Sequence, residues 1–336
     1  MLSKIIVRSA DLIRCRPKGW INFLVNQAAA MAHSTYVPML PVHITIEPTN
    51  ICDQRCPVCE TGAGILRRPK GMMSLENFMA IIDRIAPHTN TLFFYFMGEP
   101  FLARNSYEMI RYARDKGIFV DTCTNGHFFD AKKLVWSGIN QISFQLGGIT
   151  QETHEIYRVG GDLAKALESA KAIVVEKKKH GLDTPKVILG FIVMKHNEHE
   201  VEQFYKLAEE MGVDEAQVIG PAVRNVEQGK QFLTEDEQYW YYDRAAFEKG
   251  ILRPKIVPSN RCYWIWHSTV ITWEGDIVPC CRDPQGDFVM GNILQEDLSK
   301  IWNSQKFRDF RRQILTDQRN VLICRLCSSY SPPVLY

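Results

Sequence analysis

An α/β architecture is the fold this sequence predicts: an open, partial (β/α)6 TIM-like barrel, followed by a small α+β domain made of a β-hairpin plus a helix. Three observations carry that expectation. Between residue 42 and about residue 220, short apolar runs alternate with helical periods six times. Beyond Pro254 and Pro258 the alternation stops, and a hairpin and one amphipathic helix take its place. The cysteines fall in two tight clusters, one directly after the first apolar run and one in that final region.

The elements follow in order. Residues 1–36 interleave Lys4, Arg8, Arg14, Arg16 and Lys18 with Ile5, Ile6, Leu12 and Ile13. Arg8 and Asp11 break the apolar run, so it is no signal peptide. Trp20, Phe23, Leu24, Ala28 and Met31 then recur at helical spacing. This segment reads as helices packed on the bottom or side of the barrel; the alternative is a weak membrane-surface contact through residues 1–20. Strands are expected at 42–47, 92–96, 118–122, 140–146, 186–194 and 216–219. Leu75, Phe78, Ile81, Ile82 and Ile85 mark the first barrel helix, and 105–116, 130–137, 162–180 and 198–211 the others. Thr234-x-x-Glu237 reads as a capping box opening a helix to about residue 249. Thr269–Trp273 and Asp276–Pro279 read as a hairpin turning at Glu274-Gly275, and 296–315 as one helix with Leu298, Ile301, Trp302, Phe310 and Ile314 on a face. The domain limits expected are 1–36, 37–221, a connector at 222–261, and 262–336.

Composition narrows the function. The chain has 336 residues, 46% of them hydrophobic, enough for a sizeable core. A net charge of +2 offers no global attraction for nucleic acid. Ten cysteines in clusters, without a secretory signal, favour metal ligation in a reducing, cytoplasmic setting over disulfides.

Cys52, Cys56 and Cys59 stand at C-x3-C-x2-C spacing just after the strand Val42–Glu47. Three thiolates on one short loop converge on one metal centre. A closed zinc site wants four ligands, whereas a thiolate-held cubane with three protein ligands leaves one iron open. This motif resembles the signature of the radical S-adenosylmethionine (SAM) family, with Val58 where that family usually has an aromatic residue. The resemblance implies a SAM-binding [4Fe-4S] cluster, SAM chelated at the open iron, and a 5′-deoxyadenosyl radical that takes hydrogen from substrate. Met97-Gly98-Glu99-Pro100 is similar to the family's Gly-Gly-Glu-Pro segment at the SAM amino group, and Thr124-Asn125-Gly126 to its Thr-Asn-Gly element near the SAM carboxylate and ribose. Arg158-Val159-Gly160-Gly161 resembles its Arg-x-Gly-Gly. The resemblance makes Gln145 and Arg158 SAM or substrate contacts and puts Val193 beside the adenine. All fall at strand ends, where such barrels carry their chemistry. Cys123 and Cys15 read as packed thiols, and His43 as a satisfied barrel histidine.

Cys262, Cys280, Cys324 and Cys327 follow the hairpin–helix–C-x2-C order that resembles the SPASM/twitch extension of radical SAM enzymes, in its shorter form. That implies one auxiliary iron–sulfur cluster, expected to be [4Fe-4S], fully ligated by these four; a zinc ribbon is the alternative. Gly275-x4-Cys280 selects Cys280 over Cys281 as ligand. Cys281 is then a candidate catalytic thiol, returning hydrogen to a substrate radical, or a spare packed one. The activity expected is hydrogen abstraction from a polar, sugar-like small molecule leading to oxidation or epimerisation, with a reductase or a flavodoxin/ferredoxin as electron donor. A peptide-modifying maturase is the second reading; a zinc-binding interaction protein on an inactive barrel is the non-enzyme one.

Overall fold

The computed structural model describes residues 17–258 and 260–327. The basic stretch 1–16, with Cys15, and residues 328–336 lie outside the described residues. The chain after Pro17 opens with a helix, α1 (Pro17–Met31). Six strand–helix units follow. The strands are β1 (His43–Ile46), β2 (Thr91–Phe93), β3 (Phe119–Thr124), β4 (Gln141–Leu146), β5 (Lys186–Ile192) and β6 (Glu215–Ile219). All pair in parallel, each with its neighbour in sequence, as the six-unit reading expects. The helices between them are α2 (Leu75–Ile85), α3 (Ser106–Asp115), α4 (Ala131–Ser137), α5 (Gln151–Tyr157), α6 (Leu163–Lys179) and α7 (Val201–Met211). Short polar caps start them: Ser74, Asp130 and Asp162 each accept the N–H three residues on. α2 turns Phe78, Ile81, Ile82 and Ile85 inward, all fully buried. α5 escapes periodicity because it is seven residues long; a capping box between Thr150 and Thr153 starts it.

Strand alternation divides the barrel wall. Ile44, Leu92, Val120, Ile142 and Leu189 point outward into the helix layer and are fully buried. The inward positions are polar to an unusual degree: His43, Thr45, Thr91, Asp121, Gln141 and Ser143.

The cysteine-bearing end of the chain joins this sheet. β7 (Ser268–Ile271) pairs in parallel with β1, His43 opposite Ser268 through Ile46 opposite Ile271. The hairpin forms as expected: β8 (Asp276–Val278) runs antiparallel to β7, and β9 (Gly291–Asn292) to β8. One nine-stranded sheet results, in the order β6-β5-β4-β3-β2-β1-β7-β8-β9. Gly275 makes the turn at φ +87°, a conformation that suits glycine.

Two helix expectations are corrected. The 296–315 segment is two helices, Leu298–Trp302 and Gln305–Asp317. The Asn303 side chain leaves the helix to accept from the Val37 N–H and donate to its carbonyl, and Ser304 caps the second helix. Residues 234–249 are a 3₁₀ turn, Glu237–Tyr239, and a short helix, Arg244–Glu248. The Thr234 hydroxyl donates to the Glu198 carboxylate instead of capping, and Asp236 caps in its place. The connector also carries a helix, Val226–Phe232, and it is packed: Trp240 and Tyr242 are buried.

His43 is buried at the amino end of β1, as expected, but unsatisfied: among the described residues its Nδ1 has no hydrogen-bond partner, nor has that of His267. Burial pushes His43 down to about 4 and His267 to about 3. Both stay neutral when folded, whereas the unfolded chain protonates them near 6.5. Their contribution to stability is therefore complete above about pH 6.5 and is lost as pH falls toward about 4 for His43 and about 3 for His267, by up to about 1.4 kcal/mol per pH unit for each. Urea unfolding of His43→Asn should show a pH slope shallower than wild type by about that amount; equal slopes would refute the assignment.

Candidate active site

The loop that leaves β1 holds Cys52, Cys56 and Cys59, all free thiols. Each sulfur meets a donor from the chain. The Gln54 N–H lies 3.4 Å from Cys52 Sγ. The Arg158 guanidinium lies 3.7 Å from Cys56 Sγ. The N–H groups of Thr61 and Gly62 point at Cys59. Such donors stabilise thiolates. Burial acts the other way, pushing Cys52 up to about 12 and raising Cys59; thiols that ligate a metal give up their protons to do so. Gly62 is required by close approach: a Cβ there would stand 2.5 Å from the Cys56 nitrogen. The donor set, thiols with a cation and N–H groups behind them, fits an iron–sulfur cluster. Among the described residues, no three His, Cys, Asp or Glu side chains are gathered at the spacing that holds a single ion.

Three neighbouring turns are clamped to this loop. The Glu99 N–H donates to Ile51 O at 2.8 Å, and Gly98, at φ +88°, passes so close that a Cβ would meet Thr49 O at 2.6 Å. Met97 beside it is buried. Glu99 itself is buried, and three donors converge on it: Thr124 Oγ1 and the Phe101 N–H on Oε1, and the Asn125 N–H on Oε2. Burial still wins and raises its carboxyl to about 7. Asn125 Nδ2 donates to Asp53 Oδ1 at 2.7 Å, and His127 Nδ1 lies 2.6 Å from Asp53 Oδ2. His127 Nε2 accepts the Asp162 N–H, which fixes the proton on Nδ1. The Arg55 N–H donates to Val159 O at 2.9 Å. Arg158 thus stands behind a cysteine sulfur, and the Val193 N–H pairs with Ile219 O.

The second thiol set is gathered by the hairpin and the chain end. Cys280 and Cys324 each lie within electrostatic reach of Cys262 and Cys327, which are themselves in reach of each other, with Cys281 beside Cys280 and Cys262. The N–H groups of Trp264 and Ile265 point at Cys262, the Arg282 N–H at Cys280, and the Gln318 side chain at Cys324. Cys280 is half-buried and Cys281 exposed. A hydrogen bond between these two thiols and the adjacent Arg282 lower Cys281, while the same bond and burial raise Cys280.

The two sets share an apolar roof. Cys56, Val58, Tyr157, Phe232, Trp240 and Tyr242 form one buried cluster, against which Cys59 and Leu326 pack. The family's aromatic position, Val58, is therefore a core residue. Arg224 from the connector donates to the carbonyls of Val58 and Pro57. Arg68, on the irregular segment following the loop, grips Glu47 at the end of β1 and donates to Pro284 O beside the second set.

A cavity of about 160 Å³ opens inside the barrel, between β3 and β6, lined on its polar side by Tyr95, Asp121, Gln141, Ser143, Gln145 and Gln217. Cys123 is half-buried on this wall, not packed in the core, and lies within electrostatic reach of Cys59, Glu99 and Arg158. A larger groove at Asp309–Val321 is open to solvent and contains no thiol.

Asp53, His127, Arg68, Arg224 and Asp121 were not singled out as site residues from sequence. Asp53 and His127 sit inside or beside the motifs and were visible there. The other three owe their place to long-range contacts.

Comparison with known proteins bears on both thiol sets. Residues 46–208 match the model of the radical SAM superfamily, and residues 262–328 that of the SPASM iron–sulfur cluster-binding domain. The chain is 24% identical over 306 residues to the AdoMet-dependent heme synthase of Methanosarcina barkeri, covering 81% of this chain and 85% of that one. Its fold resembles Streptococcus suis SuiB bound to precursor peptide SuiA, with TM-score 0.63, 14% identity, and 90% and 74% of the two chains covered. It also resembles BtrN in complex with AdoMet and 2-DOIA, with TM-score 0.52, 18% identity, and 86% and 92% covered.

Proposed function

The chain belongs to the radical SAM superfamily and carries a C-terminal SPASM iron–sulfur domain, and from this premise we propose that it removes a hydrogen atom from a C–H bond of a small, polar, sugar-like substrate, leading to oxidation or epimerisation. Its cofactors are SAM, a SAM-binding [4Fe-4S] cluster and an auxiliary iron–sulfur cluster. Bound together, they supply reductive cleavage of the SAM sulfonium and, from it, the hydrogen-abstracting 5′-deoxyadenosyl radical. Cys52, Cys56 and Cys59 would hold the first cluster, and Cys262, Cys280, Cys324 and Cys327 the auxiliary one. Met97, Gly98, Glu99, Thr124, Asn125, Gln145 and Val193 would surround SAM, with Arg158 supporting Cys56.

The observation that carries the sugar-like reading is the small polar cavity whose wall includes Cys123 and Gln145. A compact polar molecule there would lie beside the Cys59 loop. The residues' work is positional: the Asp53–Asn125–His127 clamp holds the loop against the β3 turn, and the roof of Trp240, Tyr242 and Phe232 covers the Cys56 side of the triad. Cys281 is exposed beside the second thiol set and would be the residue that returns a hydrogen atom if the outcome is inversion.

Anaerobically reconstituted enzyme, given dithionite, SAM and a panel of sugars in D2O, should form 5′-deoxyadenosine in step with product. Inversion through Cys281 would leave solvent deuterium on the inverted carbon, and Cys281→Ala would abolish it. Oxidation would give a ketone with no deuterium gained. Full inversion by Cys281→Ala would remove that residue from the mechanism; turnover with peptides alone would replace the sugar reading by the maturase one.

A further inference from the structure

The barrel cavity contains a buried carboxyl that no part of the cofactor machinery uses. Asp121 points inward from β3, is 7% exposed and lines the cavity. It accepts a hydrogen bond from the Gln141 side chain and another from the Thr122 backbone. The nearby cation, Lys186, is already ion-paired with Glu215. Three carboxamides, those of Gln141, Gln145 and Gln217, and the hydroxyls of Ser143 and Tyr95 complete the polar side. Gln145 donates to Ser143 Oγ at 2.6 Å and lies over Gly190, where a Cβ would stand 2.7 Å from its amide. Ile188 and Ile219 supply an apolar face.

Among the described residues, no lysine, arginine or histidine lines this cavity. A phosphate or carboxylate placed here would be buried without a counter-ion and beside a carboxyl, which is strongly unfavourable. Carboxamides and hydroxyls offer both donors and acceptors, the complement of alcohol groups that need one of each. The volume holds about five waters at ~30 Å³ apiece, the size of a single small ring with its hydroxyls. At ~3.3 Å per strand residue, Asp121 lies about 10 Å below Thr124 and about 7 Å below Cys123, roughly one ring's width from the level of the thiol loop.

We infer that this cavity is the subsite for an uncharged, polyhydroxylated ring of the substrate, and that Asp121 is a specificity-determining residue that anchors one of its hydroxyls. The inference rests on the sugar-like reading above and sharpens it: any anionic or bulky part of the substrate stays outside the barrel. Burial raises the Asp121 carboxyl to about 7, so its neutral form, able both to donate and to accept, is accessible to a hydroxyl partner.

The test uses the reconstituted holoenzyme with SAM bound, titrated calorimetrically with glucose, glucosamine and glucose 6-phosphate. Glucose is expected to bind, and glucose 6-phosphate to bind no more tightly. Asp121→Leu should weaken glucose about 10- to 100-fold, as loss of a hydrogen bond to a carboxyl requires, while Asp121→Asn stays within a few-fold of wild type. SAM affinity and iron content should be unchanged in both. If Asp121→Leu does not fold, Gln217→Leu on the edge strand carries the same comparison. Tighter binding of glucose 6-phosphate, glucose binding indifferent to these variants, or no binding of any neutral sugar would overturn the inference. An enzyme that cleaves SAM yet ignores neutral sugars defeats this inference alone; one that never cleaves SAM defeats the reading beneath it.

Discussion

Arg68→Met is expected to destabilise the protein by about 3–5 kcal/mol, the cost of leaving a buried carboxylate without its partner. The Arg68 side chain is 8% exposed and that of Glu47 fully buried. Two parallel hydrogen bonds join them, at 2.8 and 2.6 Å, the bidentate geometry in which arginine outperforms lysine. Glu47 accepts a third from the Trp273 N–H at 3.2 Å. Arg68 also donates to Pro284 O at 2.7 Å and stacks on Phe96. The Arg68–Glu47 pair therefore ties together β1, the segment after the first cysteine loop, the hairpin turn and the second cysteine loop. Methionine keeps much of the apolar packing, so the loss should come from the orphaned charge. The check is urea unfolding of Arg68→Met, Glu47→Gln and the double variant. The double variant should recover most of the loss, because the unpaired charge is then gone. Additive losses would show that the pair matters through packing alone.

Cys56→Ala should lower the iron content of reconstituted protein by about half, from two clusters to one, and reduce 5′-deoxyadenosine formation to background. Cys56 is the buried middle thiol of the triad, enclosed by Val58, Tyr157, Trp240 and Tyr242, and Arg158 stands behind its sulfur. Alanine fits that apolar enclosure, so the fold should survive and the effect can be assigned to the missing sulfur. Cys123→Ala is the control: its thiol sits on the cavity wall outside the loop, and its loss should leave iron unchanged. Full iron and full 5′-deoxyadenosine formation in Cys56→Ala would refute the ligand assignment and with it the proposed role of the triad.

Local pattern made the six strands legible, because each places apolar side chains outward under a helix and the alternation is written residue by residue. It failed where a side chain had a better partner far away. Thr234 would have capped a helix but for Glu198, and the helix at 298–317 breaks because Asn303 bonds to Val37, 266 positions earlier in the chain. Asp121 stayed unremarked for the same reason: a carboxyl in a strand reads as solvated until the neighbouring strands close around it.

Ligands on one short loop share a centre, so the C-x3-C-x2-C spacing pointed to a single metal site; which cofactors it serves came from its resemblance, with the strand-end motifs, to the radical SAM family. Spacing carries no information about partners remote in the chain. That β7 would add to β1 and make a single sheet, that Arg68 and Glu47 would lock the two cysteine loops together, and that the barrel would hold a polar cavity with no cation among its described lining residues all depend on contacts across 20 or more positions, which form only when the whole core condenses.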